Sequence, residues 1–437
     1  MVKYSRSLVL SAVAAFGFSM AACAGGGEGG DMQSAGGVDA NGSSEATSVD
    51  FEQVSMGDVR DAGSVVKATR KLGLEVLAHS PKDTLVTSPV STVVALATLG
   101  ATATGEAEDQ FSVLLGASGE ERNKVVNALL GTLDSYRVPA DQIDTEDLPE
   151  EPQVHLANQM VLDTGFKVEQ TYQDALKRWF NTGTVEAELG DASGKKVLDE
   201  WVRENTAGLI EKSAIEPDPD LRLVLQNAIV LASQWQQPFM ADMTAPAEFH
   251  SADGTLIEVD FLNGSQQVNY AEADGWQMVE LPYGSDGRLV AHFVLPPEGT
   301  PAATVTTDIL GTLEGGLVQK MVDVSIPKLD LKTSVTLNDP LQKAGLTSVF
   351  TDNPPALQYI SAAESLVVSE VIQQGSIRVD EAGTVAAAVT EIGVRATMMP
   401  PEPEVSFVAN RPYLMLITDT NTGWDLFQVL VNSPTGK

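Results

Sequence analysis

The sequence predicts one large α+β domain over residues 56–437. Three observations carry this reading. Apolar, strand-like runs recur along the stretch, and several are long enough for an antiparallel sheet. Apolar residues at helical spacing occur near its start and again between the strands. No internal repeat, long linker or second change of composition divides it. Mixed helices and long antiparallel strands within one unit belong to the α+β class.

The elements follow in order. Val59, Val65, Val66, Ala68, Leu72 and Leu74 open an apolar helical stripe that runs to Leu77. Ser91 to Ala103 reads as a second, well-buried helix. Val154 to Leu162 and Leu221 to Ala232 are apolar strands, and Ala140 to Pro152 ahead of them reads as an acidic surface loop. Gln277 to Pro282 and Arg288 to Leu295 form a strand pair across the Gly284-Ser285-Asp286-Gly287 turn. Val322 to Leu331 is a further strand. Leu337 to Ala344 looks helical and stops at Gly345, a natural C-cap. Ser365 to Val379 is a long strand. Val405 to Thr418 and Gly423 to Val431 close the chain as two strands joined around Asp419 to Thr422.

Composition narrows the function classes. The 437 residues carry 60 acidic against 27 basic side chains, a formal charge of −33. That balance repels a polyphosphate and argues against a nucleic-acid partner. Four histidines, His79, His155, His250 and His292, fall in separate elements. None sits in a nucleophile-elbow or zinc-protease context, so each reads as a packed or surface residue. No metal or cofactor site is expected, and a secreted hydrolase is a poor reading.

The N-terminus has its own logic. Residues 1–22 read as an export signal, with Lys3 and Arg6, the apolar centre Leu8 to Met20, and Ala21-Ala22 before cleavage. The apolar stretch is short for a membrane span. The single cysteine, Cys23, follows directly, and Met20-Ala21-Ala22-Cys23 resembles the lipobox of bacterial lipoproteins. The resemblance implies lipidation of Cys23, although Met20 stands where leucine is usual. Residues 23–55 are rich in Gly, Ser, Ala and Asp and cannot bury enough apolar surface to fold, so they read as a flexible tether. The expected location is the cell envelope, as an outer-membrane, surface or extracellular lipoprotein held to the membrane by its acyl chains alone.

The most informative stretch runs from Glu381 to Thr390, Glu-Ala-Gly-Thr-Val-Ala-Ala-Ala-Val-Thr. It has no catalytic side chain, so its value lies in backbone behaviour. Read with a period of two, one face carries Thr384, Ala386, Ala388 and Thr390, all small. No proline interrupts residues 384–399, so the segment is able to lie inside a sheet, yet its flanks, including Pro400-Pro401-Glu402-Pro403, read as loop. It is a loop able to become a strand.

This stretch resembles the hinge of the serpins, the suicide inhibitors of proteases. Family landmarks accompany it in order. They are Thr87-Ser88-Pro89-Val90-Ser91 with Leu99-Gly100-Ala101, Ala157-Asn158, Trp201-Val202 with Glu204 to Gly208, Leu225 to Ile229 with Trp235 and Pro238-Phe239, and Glu280-Leu281-Pro282-Tyr283. Val324, Ile326-Pro327-Lys328, Leu341 to Leu346, Arg411-Pro412-Tyr413 and Asp419 to Gly423 follow. The resemblance implies a serpin domain over 56–437: a large mixed central sheet, two further sheets, surrounding helices and an exposed reactive-centre loop over about 381–403. It assigns the hinge to Glu381, Gly383, Thr384, Ala386, Ala387, Ala388 and Thr390. It assigns the sheet-opening region to Ser88, Ser91, Asn227, Trp235 and Gln373.

The family usually has a histidine where Gln373 stands. Glutamine is able to bridge Ser88, Ser91 and Asn227 but cannot titrate near neutral pH. Ala382 replaces the second acidic hinge residue, Val385 a polar one, and Gln428-Val429 the usual Gly-Arg or Gly-Lys. Family spacing from Gly383 places the reactive bond between Thr397 and Met398, with Arg395-Ala396 and Met398-Met399 as alternatives. Threonine before the cut suits an elastase- or subtilisin-like pocket. The implied partner is a serine protease, with a cysteine protease as the alternative target, acting on a monomer. The competing reading is a non-inhibitory surface binding module on the same fold, and the small hinge favours the inhibitor.

Overall fold

The molecule is organised by one wide sheet and the helix beneath it. The computed structural model describes residues 6–12, 49–352, 354–384 and 402–435. Its helices are α1 (Ala62–His79), α2 (Pro89–Leu99), α3 (Gly105–Leu115), α4 (Gly119–Gly131), α5 (Gln170–Phe180), α6 (Ala192–Asn205), α7 (Thr307–Gly315) and α8 (Asn338–Lys343). Its strands begin with β1 (Arg6–Ala12), β2 (Leu85–Thr87), β3 (Gln153–Asp163), β4 (Gly183–Ala187), β5 (Leu221–Gln234), β6 (Ala245–His250), β7 (Leu256–Ala273) and β8 (Trp276–Pro282). They continue with β9 (Leu289–Leu295), β10 (Val318–Pro327), β11 (Leu329–Thr336), β12 (Leu366–Val379), β13 (Gly383–Thr384), β14 (Val405–Val408), β15 (Tyr413–Asp419) and β16 (Trp424–Val431).

The central sheet runs β11, β12, then β1 and β13, then β5, β3 and β4. The remaining strands form a second array in the order β14, β10, β7, β8, β9, β15, β16 and β2, with β6 on β7. The two further sheets expected from the sequence are hydrogen-bonded into one array here. β7 is long enough to pair with β6 near its start and β8 near its end, while β10 runs along most of it.

Helix α2 lies under the central sheet with every residue buried. It starts at Pro89 rather than Ser91, because Ser88 Oγ accepts the Ser91 N–H as an N-cap and proline suits the first helical turn. α8 stops as expected, with Gly345 at a φ of +103° just beyond it. Helices α3 to α7 were not picked out by periodicity. In α4, Arg122 and Asn123 are buried and hydrogen-bonded to Gly100 and Ala101 carbonyls, which breaks the apolar stripe that periodicity detects.

Three sequence expectations change. The single strand Val322 to Leu331 is two, β10 and β11, in different sheets. Pro327 lacks an N–H to continue the ladder, and Lys328 N–H turns to the Asp260 carbonyl. The strand Val405 to Thr418 is also two. The chain breaks at Asn410–Pro412, so β14 lies parallel to β10 while β15 pairs with β9 and β16. The acidic segment Ala140 to Pro152 is not merely a solvated loop. Ala140, Ile143 and Leu148 are buried against Ala157, Ala228, Val230 and Ala232 on the outer face of β3 and β5.

A buried ion pair ties the tail to the first helix. Arg70 on α1 donates to both carboxylate oxygens of Asp425 at 2.8 Å, and Asp425 also accepts from Thr418 and Gln428. Asp425 is fully buried. Removing one partner of such a pair strands the other charge. Asp425→Ala is therefore expected to cost roughly 3–5 kcal/mol in equilibrium unfolding, whereas Glu314→Gln, which touches the more exposed side of Arg70, is expected to cost well under half of that.

Candidate functional site

Between β5 and β12 the central sheet has a slot where the two strands do not pair directly. Their facing edges need an intervening strand to pair with, which makes the slot a template for an extended chain. Its lower part holds β1, parallel to both neighbours from Arg6 beside Leu366 to Ala12 beside Asn227 and Gln373. Arg6–Ala12 belongs to the segment whose sequence reads as an export signal, and its extended state follows from the open edges that flank it. Above β1 lies an open cleft lined by Ile229, Leu231, Ile377, Leu209, Ile210 and Ser91 among others. The top is closed by β13, where Gly383 pairs with Gln234, and Thr384 with Ser233 and Val379, antiparallel on both sides.

The hinge is fixed at this upper end by contacts to three strands. A side chain at Gly383 would run into the Ser233 carbonyl, so the close approach requires glycine. Thr384 is buried, and its hydroxyl meets the Tyr283 hydroxyl at 2.6 Å. Trp235 stacks on Tyr283 with ring centroids 4.5 Å apart and donates its indole N–H to the Asp380 carbonyl at 3.0 Å. Its backbone N–H reaches the Ala382 carbonyl, and that of Phe239 the Glu381 carbonyl, both at 2.8 Å. Glu381 accepts from Lys328 Nζ at 2.8 Å and Thr244 Oγ1 at 2.7 Å.

Burial pushes the Glu381 carboxyl upward, but the hydrogen bonds from Lys328 and Thr244 outweigh it and hold the group below its ordinary value. Its neighbour Asp380 goes the other way. Burial raises it, and the N–H groups of Gly383 and Ala382 only partly offset the rise.

Beneath the slot, Gln373 replaces a titratable group with a neutral clamp. Its Nε2 donates to the Ser88 carbonyl at 2.8 Å and to Thr92 Oγ1 at 3.1 Å, and its Oε1 accepts from Thr87 Oγ1 and from the Ser88 N–H at 3.2 Å. This differs from the bridge expected to Ser91 and Asn227. Among the described residues the Ser91 hydroxyl and Asn227 Oδ1 have no hydrogen-bond partner, and Asn227 Nδ2 instead donates to Asn158. Gln373 is satisfied by the first turn of α2 and the strand leading into it, so it has no hydrogen-bonding capacity left for the two residues farther across the slot.

Of the sequence-predicted residues, Glu381, Gly383, Thr384, Trp235, Ser88, Ser91, Asn227 and Gln373 all border this slot. Ala386, Ala387, Ala388, Thr390, the Thr397–Met398 bond and Cys23 lie outside the described residues. Sequence reasoning missed the roles of Tyr283, Thr244, Lys328 and Thr92. Tyr283 and Lys328 were present in quoted landmarks, but only the fold shows that they reach the hinge. Of the histidines, His155 is buried, with its ring nitrogen against the Val138 carbonyl, and burial pulls its pKa down to about 3. His292 pairs with Glu280 at 2.9 Å. Among the described residues no group of His, Cys, Asp and Glu converges to hold a metal, and no helix is long and apolar enough to cross a membrane.

Comparison with known proteins agrees with this arrangement. The family model described as serpin (serine protease inhibitor) matches residues 67–434. The chain belongs to the serpin family. Iripin-8 of Ixodes ricinus is 27% identical over 392 residues, covering 86% of this chain and 94% of its own. Plasminogen activator inhibitor 1 of Sus scrofa is 26% identical over 384 residues, covering 83% and 90%. Among solved structures, the native state of the thermophilic serpin tengpin superposes with a TM-score of 0.76 at 22% identity, over 88% of this chain and 97% of that one. Thyroxine-binding globulin in complex with thyroxine gives 0.71 at 20%, over 86% and 100%.

Because the Glu381 carboxyl is depressed, its contribution to holding the hinge is complete above its unfolded value of about 4.5 and is lost as pH falls through the lower folded value. Lys328→Met removes the larger of the two opposing hydrogen bonds and leaves the upward push of burial. The Glu381 midpoint, followed by carboxyl NMR, is expected to rise in that variant relative to the parent; an unchanged midpoint would show that Lys328 is not what holds it down.

Proposed function

We propose that this chain is a suicide inhibitor of serine proteases, acting by insertion of its cleaved loop into the slot between β5 and β12. The observation that carries the reading is the register of β13. Gly383 and Thr384 already pair antiparallel with both slot edges at its upper end. Continuing that pairing one residue per row would set Ala386 between Leu231 and Ile377, Ala388 between Ile229 and Gly375, and Thr390 between Asn227 and Gln373. Thr397 would fall opposite Leu366, the first residue of β12. The run from the hinge to the favoured reactive bond thus matches the length of the slot, about 13 rows, or on the order of 40 Å of travel for the bound protease.

The chemistry belongs to the target. Its serine attacks the carbonyl carbon of Thr397, the peptide bond to Met398 breaks, and the residues from Met398 onward leave as a new amine. The Thr397 acyl-enzyme is carried along as the loop inserts. A dozen new rows at about 1 kcal/mol of net hydrogen bonding each supply on the order of ten kcal/mol. Distortion of the triad and oxyanion hole then slows deacylation by orders of magnitude. The inner face of the slot rests on α2 and the core, so inward residues must be small, as Thr384, Ala386, Ala388 and Thr390 are.

An elastase- or subtilisin-like target fits threonine before the cut, and lipidation of Cys23 would hold the domain at the cell envelope. β1 would then be removed with the export signal, leaving the whole slot free for the loop. The alternative is a non-inhibitory binding module, of the kind suggested by the thyroxine complex of a structural neighbour.

Incubation with elastase, subtilisin and trypsin, followed by denaturing electrophoresis and mass spectrometry, separates the two. A denaturant-resistant complex with a released peptide beginning at Met398 is expected, and the loop-cleaved protein should melt well above the intact one. Cleavage without complex supports the module. Thr384→Arg places a charge against the buried Tyr283 hydroxyl and should convert inhibitor to substrate; unchanged complex formation by that variant would refute insertion from this hinge.

A further inference from the structure

The lower slot already holds a strand from the other end of the chain. β1 pairs through its backbone with both edges and runs parallel to each. Ala12 lies between Asn227 and Gln373, Leu10 between Leu225 and Val371, and Ser7 between Leu221 and Val367, with Arg6 beside Leu366. A strand paired on both sides is held more firmly than one at a sheet edge. Residues 6–12 fall inside the stretch that reads as an export signal. In the unprocessed chain, then, that stretch is lodged in the central sheet of its own domain.

The rows it fills are those the loop would need last. In the register continued from β13, Thr390 would fall between Asn227 and Gln373, Ile392 between Leu225 and Val371, and Ala396 between Leu221 and Val367. Thr397 would lie beside Leu366. β1 occupies each of these places, and one position in a sheet holds one backbone. Only the rows of Val385 to Val389 stay open above Ala12. They give roughly 17 Å of travel at ~3.4 Å per row, less than half of the full run. To go further the loop must first expel β1. That exchange is downhill, because antiparallel pairing is slightly stronger per residue than parallel pairing. The register of β1 also slips on both sides, between Leu8 and Val9 against β12 and between Ser7 and Leu8 against β5. Yet the exchange takes time, and the acyl-enzyme hydrolyses meanwhile.

We propose that Arg6–Ala12 is an autoinhibitory strand: while it stays attached and seated, loop entry stalls above Ala12 and the chain is spent as a cleaved substrate. The inference rests on the insertion reading. The block is lifted when a signal peptidase adds water across the Ala22–Cys23 bond, leaving a carboxylate on Ala22 and an amine on Cys23. β1 then belongs to a separate short peptide, and the local concentration that kept it in the slot is gone. The chain is thereby silent where it is made and armed where it is processed.

The test uses the full chain, its intact N-terminus checked by mass, beside Leu10→Pro and Ser11→Pro variants of the same chain. Proline removes a backbone N–H and is not accommodated in a strand paired on both sides. The first readout is amide hydrogen exchange at residues 7–12. The second is the rate of uptake of a synthetic peptide with the sequence of residues 390–396, which competes for the same rows. The third is the share of protein trapped as protease complex rather than turned over. Both variants are expected to lose protection at residues 7–12, to take up the peptide at least about tenfold faster, and to trap a larger share. A peptide with the sequence of residues 6–12, added to the Leu10→Pro chain, should restore the slow uptake and the low trapped share. Parent and variants with equal peptide uptake and equal trapped share overturn the autoinhibition, as do unprotected amides at residues 7–12 in the parent. If no form traps a protease, the insertion reading fails, while exchange and peptide uptake still decide whether β1 blocks the slot.

Discussion

An incomplete row of backbone hydrogen bonds governs this molecule. β5 and β12 are held apart as the two edges of a slot, and each edge presents donors and acceptors that only another strand can satisfy. The placements of Gly383–Thr384 at the top and Arg6–Ala12 at the bottom both answer that demand from the same chain. Under the proposed insertion, each open row is a pairing that a freed segment of suitable side chains would complete.

What keeps the edges apart without collapse is the packing on either face. Below, α2 is buried along its whole length and is joined to β12 by the four hydrogen bonds of Gln373. Above, the strap of residues 206–215 bridges from α6 to Gln374. The neutral amide at Gln373 makes the floor insensitive to pH near neutrality, since glutamine has no proton to gain or lose there. The charge that titrates lies at the hinge instead. Glu381 and Asp380 are adjacent and shifted in opposite directions: Asp380 is the more deeply buried and burial dominates there, whereas the hydrogen bonds from Lys328 and Thr244 hold the half-buried Glu381 down.

The hinge illustrates how local chemistry and tertiary position combine. The run of small residues after Glu381 is legible in the sequence as something able to enter a sheet, because size and the absence of proline are intrinsic properties. That Thr384 is seated at the top of the slot is decided by partners from distant parts of the chain: Ser233 on β5, Val379 on β12 and the Tyr283 hydroxyl that follows β8. The Gln373 clamp shows the limit of residue-by-residue transfer. The position facing α2 was recognisable, but its partners were Thr87 and Thr92 rather than Ser91 and Asn227, because the reach of a side chain depends on the exact seating of the helix N-terminus.

By itself the sequence determined the α+β class, the burial of α2, and the strands β3, β5, β8, β9 and β12, all features written in local periodicity, composition or motif. Tertiary structure decided the rest. It split the predicted strand Val322 to Leu331 into β10 and β11, and Val405 to Thr418 into β14 and β15, because which neighbour a strand pairs with depends on partners far away in the chain. It buried Arg122 in α4, made a cover of the acidic segment 140–152, and turned Gln374 from an unremarkable half-buried strand residue into a bridge to the strap. The physical reason is common to all of these: periodicity reports which face of an element is apolar, but hydrogen-bond partners across a slot are set only when the elements have docked.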